Sequence, residues 1–326
     1  MSRGCQLAAG CTTNPMQRPR VTLLSLITAA VCVTACGGQT LVGPSPAAPP
    51  PAITESVPAV GALPVVPPGR VAIISIDGLR PDALLAAGAP NIMAMANRGA
   101  YTWQAKTVLP STTLPSHISM LTGYLPNVHG VTWDDYTPLR GPLAVPTLFA
   151  IARANGLRTA MAVGKEKFAM FRDTGACDAW VLAASGDNDV AQQATALASI
   201  RPDLLFVHLA DVDRTGHASG WMSEPYLRSV RSADAIVGRI IASFSSDTTV
   251  IITADHGGHG LGHGSDDPTD TTIPWVIVGP AVASGRQLSS AVKTVDTAAT
   301  AALILGVQLS PDASGRPVRE AFAPDR

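Results

Sequence analysis

Five stretches of this chain, near 71–76, 158–163, 203–209, 248–252 and 274–278, are mainly apolar, and VAIISI in the first is β-branched and continuous, without the alternation of a half-exposed strand. That pattern predicts strands covered on both faces, as in a parallel sheet. The segments between them carry helical patterns, over 89–98, from Leu114 to about Thr122, and from Ser223 to Phe244. Strands alternating with helices predict a doubly wound α/β domain, with a mostly parallel sheet and helices on both faces, over residues 70–326.

Three of these runs lead into residues able to hold an ion. VAIISI ends at Asp77-Gly78, PDLLFVHLA continues into DVDRTGH with Asp213 and His217, and the run near 248–252 opens into TADHGGHGLGH, Thr253 to His263. Open α/β sheets keep their sites beyond the carboxyl ends of the strands. A lone His-Gly pair is ordinary in a solvated loop, but Asp255 with His256, His259 and His263 is a ligand set. Gly257 and Gly258 would permit the sharp turn that lets neighbouring Asp255 and His256 converge. Asp213 and His217 can reach one ion from a loop or a helical turn.

The segment LPSTTLPSHISMLTGYLPNVHGV starts with three hydroxyls. Ser111, Thr112 or Thr113 could cap the helix beginning near Leu114, with Pro115 tolerated in its first turn. A hydroxyl there suits a nucleophile attacking a phosphoryl group, because a helix N-terminus stabilises anionic charge. Lys165 and Lys167, in GKEKF, read as a solvated turn. Oxygen and nitrogen ligands without thiolates suit Zn²⁺ or Mn²⁺. Six or seven ligands exceed one tetrahedral ion and fit two ions about 3.5–4 Å apart.

Composition narrows the partners. A net charge of -1 and the lack of any Lys/Arg run exclude a nucleic-acid footprint. At the N-terminus, Arg18 and Arg20 precede VTLLSLITAAVCV, too short for a comfortable membrane span but suited to a signal-peptide core, with Met16 as a candidate start. VTACGG then resembles a bacterial lipobox. Residues 1–36 are therefore expected to be a signal peptide with Cys36 lipidated, the alternative being an ordinary secretory signal. Residues 37–69, rich in Pro and Ala, read as an extended tether. An exported, membrane-anchored lipoprotein facing the periplasm follows. Cys177 is then the lone thiol of the domain, which leaves it without an internal disulfide.

The motifs IISIDGLRPD, STTLPSH, LTGYLPNVHGV, DVDRTGH, TADHGG with GLGH, and IPWVIVGP appear in order between Arg70 and Leu309. Together they resemble the alkaline phosphatase superfamily and, within it, the type I phosphodiesterase/nucleotide pyrophosphatase branch. The resemblance implies Thr113 as nucleophile and a ligand, with Asp77, Asp255 and His256 on one ion. Asp213, His217 and His263 would hold the second, with His259 as rival for the last place. It also implies two in-line displacements through a phosphothreonine, on a phosphate ester or nucleotide. A diester is expected, a monoester being the alternative, and a non-catalytic metal-binding lipoprotein the reading outside enzymology. Sulfatases of the superfamily need a modified Cys or Ser followed by Pro and then Arg; here Pro115 and His117 follow Thr113, so sulfatase activity is not expected. One position departs from the family. An asparagine that donates to a phosphoryl oxygen falls on Asp134, and an ionised aspartate only accepts. It should repel the phosphoryl group unless it is protonated, turned away or a metal ligand; if it faces the substrate, Asp134→Asn should raise kcat/KM.

Overall fold

The computed structural model describes residues 66–173, 175 and 177–323. The expected signal peptide, Cys36 and most of the tether lie outside the described residues. Eight strands form one sheet: β1 (Arg70–Ile76), β2 (Ala100–Lys106), β3 (Thr159–Val163), β4 (Ala179–Leu182), β5 (Leu204–Leu209), β6 (Thr248–Thr253), β7 (Thr272–Val278) and β8 (Arg286–Gln287). Their order is β4-β3-β5-β1-β6-β7-β2-β8. β7 runs antiparallel to both its neighbours, β6 and β2, and the remaining pairings are parallel.

The five mainly apolar runs are the central strands β1, β5 and β6 with β3 and β7 beside them. Each is buried almost throughout, for example Ile73, Ile74, Phe206, Val207 and Ile251 at 0% exposure. Two groups of helices cover the sheet. The long helix Glu224–Ala242 packs with Pro81–Ala87, Pro90–Arg98, Asp187–Ser199 and Asp211–Ser219; Thr113–Thr122, Leu148–Ala154 and Asp296–Leu305 pack with one another. The fold is thus the expected doubly wound, mostly parallel α/β architecture. Three strands lacked the signal: β2 has a mixed pattern, AYTWQAK, and β4 and β8 are only 4 and 2 residues long. Among the described residues no helix is long and apolar enough to cross a membrane.

This topology positions the site. β5, β1 and β6 are adjacent and parallel, so their carboxyl ends share one edge of the sheet. Asp77 follows β1, Asp213 lies in the helix two residues beyond β5, and Asp255 follows β6.

Candidate active site

Asp77 is fully buried, its N–H donating to Leu209 O. Gly78 comes next because the backbone is left-handed there, φ 70°, and an added Cβ would lie 3.0 Å from Asp213 Cα. Gly257 and Gly258, expected to make a turn, are instead required by contact. A Cβ would meet Thr269 O at 2.0 Å and the Trp221 ring at 2.2 Å respectively. Backbone passes so close there that Asp255 and His256 are held against β1.

Around His256 Nε2 three oxygens gather: Asp255 Oδ2 at 3.2 Å, Asp77 Oδ1 at 3.3 Å and Thr113 Oγ1 at 3.4 Å. The ring's other nitrogen donates to Gly257 O at 2.8 Å, leaving the Nε2 lone pair for the cluster. Asp255 Oδ1 accepts from Gly78 N and His256 N, while buried Oδ2 has no hydrogen-bond partner. Four ligands about 2.0–2.1 Å from a tetrahedral zinc stand about 3.3–3.4 Å apart, the spacing seen here.

A second cluster adjoins it. Asp213 Oδ1, also buried without a hydrogen-bond partner, is 3.4 Å from His217 Nε2 and 3.5 Å from His263 Nε2, and the two imidazole nitrogens are 3.1 Å apart. Each ring donates its Nδ1 proton to a backbone carbonyl, of Leu261 and of Ser111, so both Nε2 lone pairs face one another and a carboxylate. Lone pairs converging in this way are a cation's donor set. His256 stacks on His263, centroids 3.7 Å apart, and can join the Asp213 and His263 group as well. His259 is elsewhere: its side chain is 53% exposed and its Nδ1 is 2.7 Å from Asp270.

The protonation balance shows an anionic pocket. Burial and the neighbouring charge of Asp77 raise Asp255 well above the ordinary carboxylate range. Burial works against His256 as a cation, yet Asp255 and Asp77 outweigh it and push it up to about 9. Crowded buried carboxylates hold protons where a metal could replace them.

Two residues expected to be solvated belong to this pocket. Lys165 directly follows Gly164 at the end of β3, and its side chain is only 15% exposed. Its Nζ lies 2.6 Å from Asp77 Oδ2, 2.6 Å from Asp213 Oδ2 and 3.3 Å from Thr113 Oγ1. Burial opposes its charge, but the two carboxylates push its pKa up. Burial also works against Asp77 as an anion, yet the Lys165 ammonium and the hydrogen bonds from His208 and His256 hold it well below its ordinary value. Each aspartate is thus split, one oxygen on Lys165 and the other on a donor cluster. Lys167 Nζ lies 2.7 Å from Asp134 Oδ2. The solvated-turn reading fails because β3 pairs with β5, which carries this turn over the strand ends of the site.

Thr113 opens the helix Thr113–Thr122, and Thr112 is its N-cap but makes no side-chain cap bond. The cap comes from 20 residues away: Asp134 Oδ1 accepts from Leu114 N at 2.7 Å. Asp134 is therefore turned onto a helix terminus and a lysine, its charge already paired. Two buried histidines, also outside the sequence-derived set, complete the surroundings. His117 Nδ1 donates to Thr113 O at 2.7 Å and its Nε2 pairs with Ser75 Oγ; His208 Nε2 lies 2.9 Å from Asp77 Oδ2. Their sequence signal was weak, since a single polar residue in an apolar run names no partner.

The family model described as type I phosphodiesterase/nucleotide pyrophosphatase matches residues 71–266. GPI ethanolamine phosphate transferase 1 of Aspergillus oryzae is 30% identical over 209 residues, 55% of this chain and 20% of that protein. Its human counterpart is 25% identical over 70% of this chain and 28% of its own length. The chain therefore spans roughly a fifth to a quarter of these relatives. An uncharacterized pyrophosphatase/phosphodiesterase of Schizosaccharomyces pombe is 24% identical over 57% of this chain and 44% of its own. In structure, murine ectonucleotide pyrophosphatase/phosphodiesterase 5, an inactive form in complex with AMP, superposes with a TM-score of 0.69 at 14% identity, covering 78% of this chain and all of that one. A 2-O GAG sulfatase superposes at 0.63 with 15% identity, covering 78% and 74% of the two chains. With the family model covering more than half of its length, this chain belongs to the type I phosphodiesterase/nucleotide pyrophosphatase family.

Proposed function

We propose that the protein is a metal-dependent phosphoric ester hydrolase in which Thr113 Oγ1 attacks phosphorus. The observation that carries this is the convergence on that hydroxyl of Asp77 Oδ1 at 3.5 Å, His256 Nε2 at 3.4 Å and Lys165 Nζ at 3.3 Å. Asp77, Asp255, His256 and Thr113 would hold one divalent cation and Asp213, His217 and His263 the other, with zinc or manganese fitting the oxygen and nitrogen donors. When bound, the cations supply Lewis acidity toward the phosphoryl oxygens and ease deprotonation of the attacking hydroxyl and water.

The chain's own residues provide the rest. His117 fixes the Thr113 carbonyl and Asp134 caps Leu114, so the nucleophile sits on a rigid first turn. The Thr113 Oγ1–P bond forms as the ester P–O bond opposite breaks, and the leaving oxygen takes a proton. Water then breaks the Oγ1–P bond, restoring the hydroxyl and releasing the phosphate product. Lys165 stands within reach of both the nucleophile and an incoming phosphoryl oxygen.

The family description points to diesters, and the charge of the pocket agrees with that. Three carboxylates and the Thr113 alkoxide against two divalent cations and the Lys165 ammonium leave one positive charge, matching the single charge of a diester; a monoester is the alternative. The transferases among the relatives support a further variant, in which an alcohol rather than water takes the phosphoryl group. Acid-quenched turnover of p-nitrophenyl phosphate and bis-p-nitrophenyl phosphate, with mass spectrometry of Thr113, tests the reading. Phosphothreonine at Thr113 and faster diester turnover are expected; turnover without modification would overturn the covalent route, and added alcohols reveal transfer. We further propose, from the sequence alone, that Cys36 carries a lipid that anchors the domain to a membrane after export.

A further inference from the structure

β5, LLFVHL, is apolar except for His208, which is fully buried against the rings of Phe168 and His117. A buried imidazole has to satisfy two nitrogens. Nδ1 faces the backbone N–H of Gly164 at 3.4 Å, and an amide nitrogen can only donate, so Nδ1 accepts and the proton sits on Nε2. Nε2–H then donates to Asp77 Oδ2 at 2.9 Å. The same oxygen takes Lys165 Nζ at 2.6 Å. With Oδ2 occupied by two donors, Oδ1 is the oxygen left to face His256 Nε2 and Thr113 Oγ1.

We infer that His208 is a positioning residue: it selects which oxygen of Asp77 enters the ligand cluster and ties the Gly164-Lys165 turn to that carboxylate. It touches neither substrate nor nucleophile. The turn is pinned from its other side too, since Arg214 donates to Gly164 O at 2.7 Å. One ring thereby couples the end of β1 to the turn after β3, on either side of β5, and sets the distance between the Asp77 carboxylate and the lysine. The inference rests on the proposed metal role of Asp77.

The test uses the full chain with Zn²⁺ as probe, its affinity measured by competition with a chromophoric chelator. His208→Leu removes both bonds, whereas His208→Gln keeps an N–H near the position of Nε2. Loss of a residue that orients a ligand weakens metal binding by about 10–100-fold, which is expected for the leucine variant, with less than about fivefold for glutamine. Equal affinities in wild type and His208→Leu, or equal losses in both variants, would overturn the inference. If His208→Leu does not fold, ¹⁵N spectra of wild-type histidine rings still decide it. A proton on Nε2 of His208 is expected, and a proton on Nδ1 contradicts the role. That spectrum is independent of turnover, so a chain without Thr113 phosphorylation but with the expected tautomer would sink the proposed reaction and leave His208 standing.

Discussion

Replacing Lys165 by methionine keeps the unbranched stem and removes the ammonium. Asp77 and Asp213, both buried, then each lose a partner at 2.6 Å. Deleting one member of a buried ion pair costs about 3–5 kcal/mol. In a domain of this size each kcal/mol lowers Tm by about 2–4 °C, so the chelator-treated variant should melt about 6–20 °C below wild type. Saturating Zn²⁺ should narrow the gap, because the cations neutralise the same carboxylates. In the reaction, a lost preorganised donor is worth about 10²–10³ in rate. That loss is expected in kcat/KM for p-nitrophenyl phosphate, while the diester, with one charge fewer, should lose about tenfold or less. Differential scanning fluorimetry with and without chelator, and paired kinetics on the two substrates, read both effects. Unchanged melting in chelator would show that the carboxylates do not depend on Lys165. Equal losses on the two substrates would show that Lys165 does not respond to the charge of the substrate.

Thr113→Ala should bind Zn²⁺ within about tenfold of wild type, the carboxylates and imidazoles doing most of the holding, yet lose turnover; near-wild-type kcat would end the covalent route. Asp134→Asn uncouples Lys167 and weakens the cap on Leu114, a partly exposed pair worth about 1 kcal/mol, so a Tm lower by about 2–4 °C is expected. Its kcat/KM should fall modestly, and a rise would return the carboxylate to the phosphoryl pocket. Asp187, buried and beside Asp211, is pushed up to about 7 while accepting from Ala210 N and Asp211 N. A carboxyl raised on folding keeps its proton in the native state, so its contribution is present below about pH 4 and is lost as pH climbs toward 7, by roughly 4 kcal/mol at most. Asp187→Asn should therefore be more stable than wild type at pH 8 and show a flatter fall in urea midpoint from pH 5 to 8; parallel profiles contradict this. Cys36→Ser should move the protein from membrane to soluble fractions at unchanged specific activity, and continued membrane association would count against the lipid anchor.

The frame of this protein was legible because its physics is local. A strand covered on both faces must be apolar at consecutive positions, so VAIISI and TTVIIT announce themselves, and parallel strands place whatever follows them at one edge. Asp77, Asp213 and Asp255 were legible for that reason, as was Thr113 at the start of its helix. Sequence also placed His263 within reach of the pair Asp255-His256, but separating it from His259 required the loop's path, which turns His259 out to Asp270. The strand order β4-β3-β5-β1 is set by long-range packing, and no local pattern states it. Only that order brings Lys165 between Asp77 and Asp213 and sets His208 behind Asp77. A lysine in a polar turn reads as solvated until the fold places two buried carboxylates around it, because burial and partner, not residue type, determine where a charge resides.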